Sequence, residues 1–350
     1  MDTLESAIPA HLRCPRSQPA RTPDGYQPPY PASVARFKPE TKQVVMAYLG
    51  LQYVEAADAG AEVDGARRWL AESLAGMRGP SHCEHARYVD EAGFTTWVSI
   101  GYWDDMATFD DWFDGNGKAW TDGSALGGAS LGRFIEVLKP SVERFETLFS
   151  SDVPEGVAGL ATHLSGAIEE HAYWGGMRDR MPAAQADLLQ PSGQPGVVTD
   201  GLRQRVAPQE NLCLIRSGQD WTMAEADERR MYLDDVEPVL AAGMVFLRDQ
   251  GRDIDCHANR YMTVLDDAGQ PVEKTFGMSW WRSLVALERW AESHPTHVAI
   301  FGAALQHLGR LGPNARLKLY HEVTVATAAQ QYFEYFNCHP QTGMLRAVQG

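Results

Sequence analysis

The 350-residue sequence is short of positive charge: 31 Lys and Arg stand against 46 Asp and Glu, a formal charge of −15. That balance argues against a nucleic-acid backbone or an anionic membrane as the main partner, since both call for a basic surface. Long hydrophobic runs are missing as well, and none reaches the roughly 18 residues of a membrane helix. Met1 to Glu5 lack the basic-then-apolar order of a secretory signal. Cysteine is scarce: five residues, widely scattered, with no CxxC pair and no CxxCH. The spacing argues against structural zinc and covalently attached haem, and the expectation is free thiols in a reducing cytoplasm. The GxxxxGK[ST], HExxH and GxGxxG signatures are absent. Gly127, Gly128 and Gly132 lack phosphate-loop spacing and read as a loop.

What is present is a chain 44% hydrophobic, with 11 His and 10 Trp. A chain of this length can bury roughly three quarters of its unfolded surface. Abundant His and Trp suit an aromatic-lined pocket with a titratable or metal-binding group. Residues 1–39 are punctuated by Pro23, Pro28, Pro29, Pro31 and Pro39 and read as an irregular N-terminal arm, pinned by Tyr26 and Tyr30 or mobile.

Period-2 and β-branched patterns predict strands over 44–53, 95–102, 144–149, 211–216, 275–280 and 317–325. Period-3.6 patterns predict helices over 61–77, 106–113, 224–250 and 284–293. A duplicated motif runs through this order. Trp103 and Trp112 lie nine apart, as do Trp281 and Trp290, and the apolar positions between them coincide. The same shift carries Glu143 onto His321. Trp anchoring at any strand-to-helix corner is the other explanation.

The expected fold class is α+β, with two ferredoxin-like units in one chain and antiparallel sheets. The organisation read from this is an arm (1–39), a first half (40–150), an inserted helical or loop segment (151–207) with a helix-like stretch at 167–180, a second half (208–335) and a tail (336–350).

Several residues invite a chemical reading. Ser81-His82-Cys83-Glu84-His85 resembles a metal cluster on paper, but it follows Gly79-Pro80 and reads as a solvated loop. His294-Pro295-Thr296-His297 ends one helix and opens an apolar one. His297 suits either a haem-binding imidazole or a hydrogen-bonded capping histidine. His321 sits on an apolar strand face, as a poised acid/base or a satisfied core residue. Glu143 and Arg178 read by default as surface charges, and Ser217 as the start of a turn.

The strings WAESHPTHVAIF (290–301), LYHEVTV (319–325), FNCHPQTGMLR (336–346), EEHAYWGGMRDR (169–180), LIRSGQDW (214–221) and YQPPYP (26–31) together resemble the aldoxime dehydratases. The resemblance runs from the arm to the C-terminus. It implies b-type haem, ferrous in the active state, a homodimer, a dimeric α+β-barrel-like fold of fused ferredoxin-like units, and conversion of an aldoxime to a nitrile and water. By motif, His297 is similar to the proximal iron ligand, His321 to the distal catalytic histidine and Ser217 to the serine that binds the substrate hydroxyl. Arg178 and Glu143 take the place of supporting distal residues. The segment 302–314 is longer than the resemblance leads one to expect. The rival readings are a peroxidase or chlorite-dismutase-like haem enzyme, a haem carrier or sensor, and a haem-free barrel for apolar ligands.

Overall fold

The computed structural model describes residues 4–55, 60–122 and 130–349. Gly127 and Gly128 lie outside them, and Gly132 opens a strand rather than a loop. The first stretch of chain gives β1 (Val45–Val54), α1 (Gly60–Ala75), β2 (His82–Val89), β3 (Phe94–Trp103), α2 (Met106–Trp112), β4 (Gly132–Leu138) and β5 (Phe145–Phe149). Between the halves lie α3 (Gly176–Arg180) and a hairpin of β6 (Gly196–Asp200) and β7 (Arg203–Ala207). The second stretch gives β8 (Leu212–Asp220), α4 (Ala226–Met231), α5 (Glu237–Gln250), β9 (Cys256–Leu265), β10 (Pro271–Trp281), α6 (Leu284–Ser293), α7 (Pro295–Leu311), β11 (Lys318–Ala326) and β12 (Gln331–Phe336). Mixed helix and antiparallel sheet agrees with the α+β expectation.

Twelve strands form one antiparallel sheet, ordered β5-β11-β8-β10-β9-β2-β3-β1-β4-β12-β7-β6. Within it, β2-β3-β1-β4 and β9-β10-β8-β11 have the same internal order, and they meet where β9 pairs with β2. Each group is extended by a strand from the other stretch of chain: β5 joins β11, and β12 joins β4. The Trp pairs sit at matching corners. Trp103 lies 5.1 Å from Trp112, and Trp281 lies 5.5 Å from Trp290. The strand that matches β11 is β4, so Glu143, on the turn Val142–Arg144 beyond β4, is not the positional counterpart of His321.

The period-2 alternation sends each strand's side chains to two environments. One face packs on itself into a core holding Met46, Tyr48, Tyr102, Phe134, Leu214, Met278 and Trp280. The other face is covered by helices. Val45, Leu49 and Ile135 lie under α1 and α2, while Cys213, Val323 and Val325 lie under α5 and α6.

The segment 81–85 is a strand edge and strand, not a solvated loop. Its charge is satisfied indoors, where Arg216 donates to Glu84. Burial pushes the Glu84 carboxyl up, but Arg216 and His82 beside it hold it well below its ordinary range. The stretch 167–180 is helical only over α3. Ala172 at φ 60° and Gly175 at φ 103° break any longer helix. The arm is pinned. Tyr26 Oη donates to the His171 carbonyl at 2.8 Å, and the Tyr30 ring lies 5.1 Å from His171.

Candidate active site

Pro295 stops α6 and opens α7, because a proline lacks the N–H an interior turn needs yet suits the first helical position. That corner sets His297 in the first turn of α7. Its Nδ1 lies 2.8 Å from the Ala291 carbonyl, a free acceptor at the end of α6. A carbonyl only accepts, so Nδ1 carries the proton and Nε2 keeps a lone pair. Burial lowers the ring's proton affinity to about 4, so it is neutral at pH 7. The rings of Trp290, at 4.6 Å, and Trp174, at 6.0 Å, flank it.

Across from His297 lies the helix-side face of β8 and β11. Ser217 and His321 are register partners there, so their side chains emerge together. Glu146, on β5, brings Oε1 to 3.0 Å from His321 Nε2. Arg180, at the end of α3, places Nη2 at 2.9 Å from the same nitrogen. Arg180 also donates through Nε to Glu146 at 2.6 Å and through Nη1 to the Glu170 carbonyl at 2.7 Å. Burial pushes the Glu146 carboxyl up, but Arg180 and His321 outweigh it and hold the group below its ordinary range. The nitrogen Nε2 therefore faces a group that can only donate and one that can only accept. Neutral, it accepts from Arg180; protonated, it donates to Glu146. Nδ1 has no hydrogen-bond partner among the described residues and is the nitrogen free for a substrate.

The supporting pair carried over by motif is placed elsewhere. Arg178 grips Glu288 of α6 through Nε at 3.0 Å and Nη2 at 2.8 Å, and donates to the Leu188 carbonyl. Two residues from Arg180 on a helical turn, it points to the opposite side. Glu143 is exposed on its turn, away from His321. Arg180 and Glu146 occupy the positions that Arg178 and Glu143 were expected to fill. The sequence signal for Glu146 was its place among the buried residues of FETLF. No signal separated Arg180 from Arg178.

Between α7 and this face the chain leaves a slot. In otherwise buried strands, Ile215, Ser217, Leu319, His321, Leu148 and Thr275 stay partly open. Their counterparts under α1 and α2 are closed: Leu49 and Ile135, register partners like Ser217 and His321, are fully buried. On the far wall Val298 is 48% exposed, Leu305 40% and Trp174 41%. An apolar patch of this kind on a helix marks a binding surface. A neutral imidazole with a free Nε2, greasy walls and an opposing polar face fit a haem. His297 is the residue to hold it.

Known proteins resemble this chain in sequence and fold. The model of a family described as haem-containing dehydratase matches residues 47–344. An aliphatic aldoxime dehydratase of Pseudomonas chlororaphis is 43% identical over 350 residues, covering 98% of each chain. A phenylacetaldoxime dehydratase of Bacillus sp. (strain OxB-1) is 34% identical over 332 residues, covering 92% of this chain and 93% of its own. A crystal structure of aldoxime dehydratase superposes with a TM-score of 0.93 at 43% identity, covering 99% of both chains. A second, an aldoxime dehydratase in complex with butyraldoxime, gives 0.93 at 40% identity, covering 99% of this chain and 97% of that one. Matched along nearly its whole length, the chain belongs to the haem-containing dehydratase family.

Proposed function

We propose that this chain dehydrates aldoximes, R–CH=N–OH, to nitriles and water in the slot between α7 and the β8–β11 face. The observation that carries the reading is the register pair of Ser217 and His321, with His321 within electrostatic reach of His297, whose Nε2 keeps its lone pair. A haem held by His297 would supply, in the ferrous state as the resemblance implies, a coordination position for the oxime nitrogen. Ser217 holds the oxime hydroxyl in place. Hydroxide is a poor leaving group, so it must depart as water. Charged His321, its Nε2–H on Glu146, gives the Nδ1 proton to that oxygen as the N–O bond breaks. The same Nδ1, now bare, takes the proton from the oxime carbon as the second C–N π bond forms. The imidazole ends as it began, so no proton is gained or lost over the cycle. Arg180 keeps Glu146 ionised and oriented.

The finer expectations belong to the same reading. Haem b and a homodimer rest on the resemblance. A duplicated ferredoxin-like origin is supported by the matching order of the two strand groups. A cytoplasmic home is supported by five free cysteines, and no helix among the described residues is long and apolar enough to cross a membrane.

The test is purified protein with dithionite and butyraldoxime under argon, followed by gas chromatography of the nitrile. Turnover with a Soret band is expected. His321→Ala should keep the Soret band and lose nearly all turnover. Near wild-type turnover in that variant overturns the acid/base role.

A further inference from the structure

Three buried arginines of this chain each face a carboxylate: Arg180 has Glu146, Arg216 has Glu84 and Arg260 has Glu136. Arg346, on the closing turn Gly343–Val348, does not. It is 8% exposed, and no carboxylate among the described residues forms an ion pair with it. Its Nη2 donates to the Asp249 carbonyl at 3.2 Å, and its Nε is buried with no acceptor. The Asp249 carboxylate feels its charge but is held by Arg248 at 2.7 and 3.1 Å. A guanidinium cannot escape burial by losing its proton, so Arg346 carries a desolvation penalty that nothing in the fold offsets. It lines a cavity of about 170 Å³ between α5, β9 and the turn that joins β2 to β3. One water needs roughly 15 Å³, so the space takes a small molecule. Arg260 lines the same cavity. Its Nη1 and Nη2 are spent on Glu136, while its Nε also lacks an acceptor.

We propose that this cavity binds a small carboxylate anion, with Arg346 as its counter-ion. The charges around it select that class. Asp90 and Glu91 also line the space. Asp90 is occupied by the Ala92 and Phe94 amides, at 3.0 and 2.9 Å, and Glu91 makes a loose pair with Arg248 at 3.8 Å. A phosphate or sulfate dianion would satisfy Arg346 with one charge and set the other against these two acids. A carboxylate brings a single charge in a flat, two-oxygen group that fits the guanidinium fork. None of the lining residues takes part in the proposed dehydration, so the site stands or falls separately from that reading.

The test is isothermal titration of haem-loaded protein with sodium propionate and, separately, with inorganic phosphate. Propionate should bind saturably at one site without moving the Soret band, and phosphate at least about tenfold more weakly. Hydrogen bonds to a charged group are worth enough for Arg346→Met to weaken propionate at least about tenfold. Ala241→Phe fills the cavity from α5, leaves the arginine in place and should weaken propionate as much, so either variant serves if the other fails to fold. No saturable propionate binding by the wild type overturns the proposal. So does phosphate binding as tightly as propionate, or a propionate affinity within twofold of wild type in a folded variant. A Soret shift that persists in both variants places the carboxylate on the iron and overturns it too.

Discussion

Replacing Glu146 by Gln removes one charge from a buried cluster and leaves its shape nearly intact. His321 Nε2 lies 3.0 Å from the carboxylate and 2.9 Å from the Arg180 guanidinium, so the two charges act on its proton with nearly equal and opposite force. At an effective dielectric of about 20, each interaction is worth at most about 6 kcal/mol. In Glu146→Gln only the repulsion remains, and the imidazolium that serves as acid becomes harder to form. At pH 7 kcat should fall by about 10²- to 10⁴-fold, the usual worth of a positioned acid/base. The sign fixes a second readout. A ring that binds its proton less tightly needs more acid, so the pH–kcat profile should shift toward lower pH. Glu143→Gln is the control. An exposed carboxylate away from His321 should leave kcat within about twofold and stability within about 0.5 kcal/mol. Stopped-assay nitrile formation from pH 5 to 9, with haem content fixed by the Soret band, measures both. A Glu146→Gln enzyme within threefold of wild type with an unmoved profile would refute the reasoning, as would a Glu143→Gln loss of the same size.

His297→Ala should purify without stoichiometric haem, and added imidazole should restore part of the Soret absorbance. Arg178→Ala strands Glu288, 6% exposed, without its bidentate partner. It should cost about 3–5 kcal/mol in urea unfolding, with kcat per haem nearly unchanged. Burial lowers the proton affinities of His171 and His257 to about 4, against about 6.5 when unfolded. The unfolded chain thus binds more protons between those values, and stability is full above about pH 6.5 and declines toward pH 4. Below about pH 4.5 the depressed Glu84 and Glu146 carboxyls add their own loss. Urea midpoints at pH 7.5, 5.5 and 4.5 check the order, and a flat series contradicts it.

The strands most legible in the sequence are uncharged runs of apolar, β-branched and aromatic residues, such as Val45–Val54 and Phe94–Trp103. The strands that escaped are polar for a reason visible only in three dimensions. Gly132–Leu138 carries Glu136 and Cys256–Leu265 carries Arg260, and these two pair bidentately inside the core at 2.6 and 2.7 Å. Gln331–Phe336 carries Glu334, fully buried and held by Arg203, Arg205 and Thr121. Read one residue at a time, such charges announce a surface. At the site, His297, Ser217 and His321 lay in strings distinctive enough to find. The supporting Arg and Glu did not, because Arg178 and Arg180 share one helical turn, as Glu143 and Glu146 share one short segment. Which member of each pair faces His321 depends on α3 meeting β5, a tertiary contact that local pattern does not encode.

The exchange of outer strands has a consequence for how the molecule is made. Glu146 arrives on β5, delivered by the first stretch of chain to a sheet group built by the second, and meets His321 from half the chain away. On a ribosome the distal cluster stays incomplete until β11 has emerged and found β5. Loop closure over so many residues is slow relative to local folding. Haem arriving early meets an unfinished cradle. A polypeptide severed between residues 150 and 207 yields two fragments, neither of which owns a whole site, and only their reassociation should restore turnover.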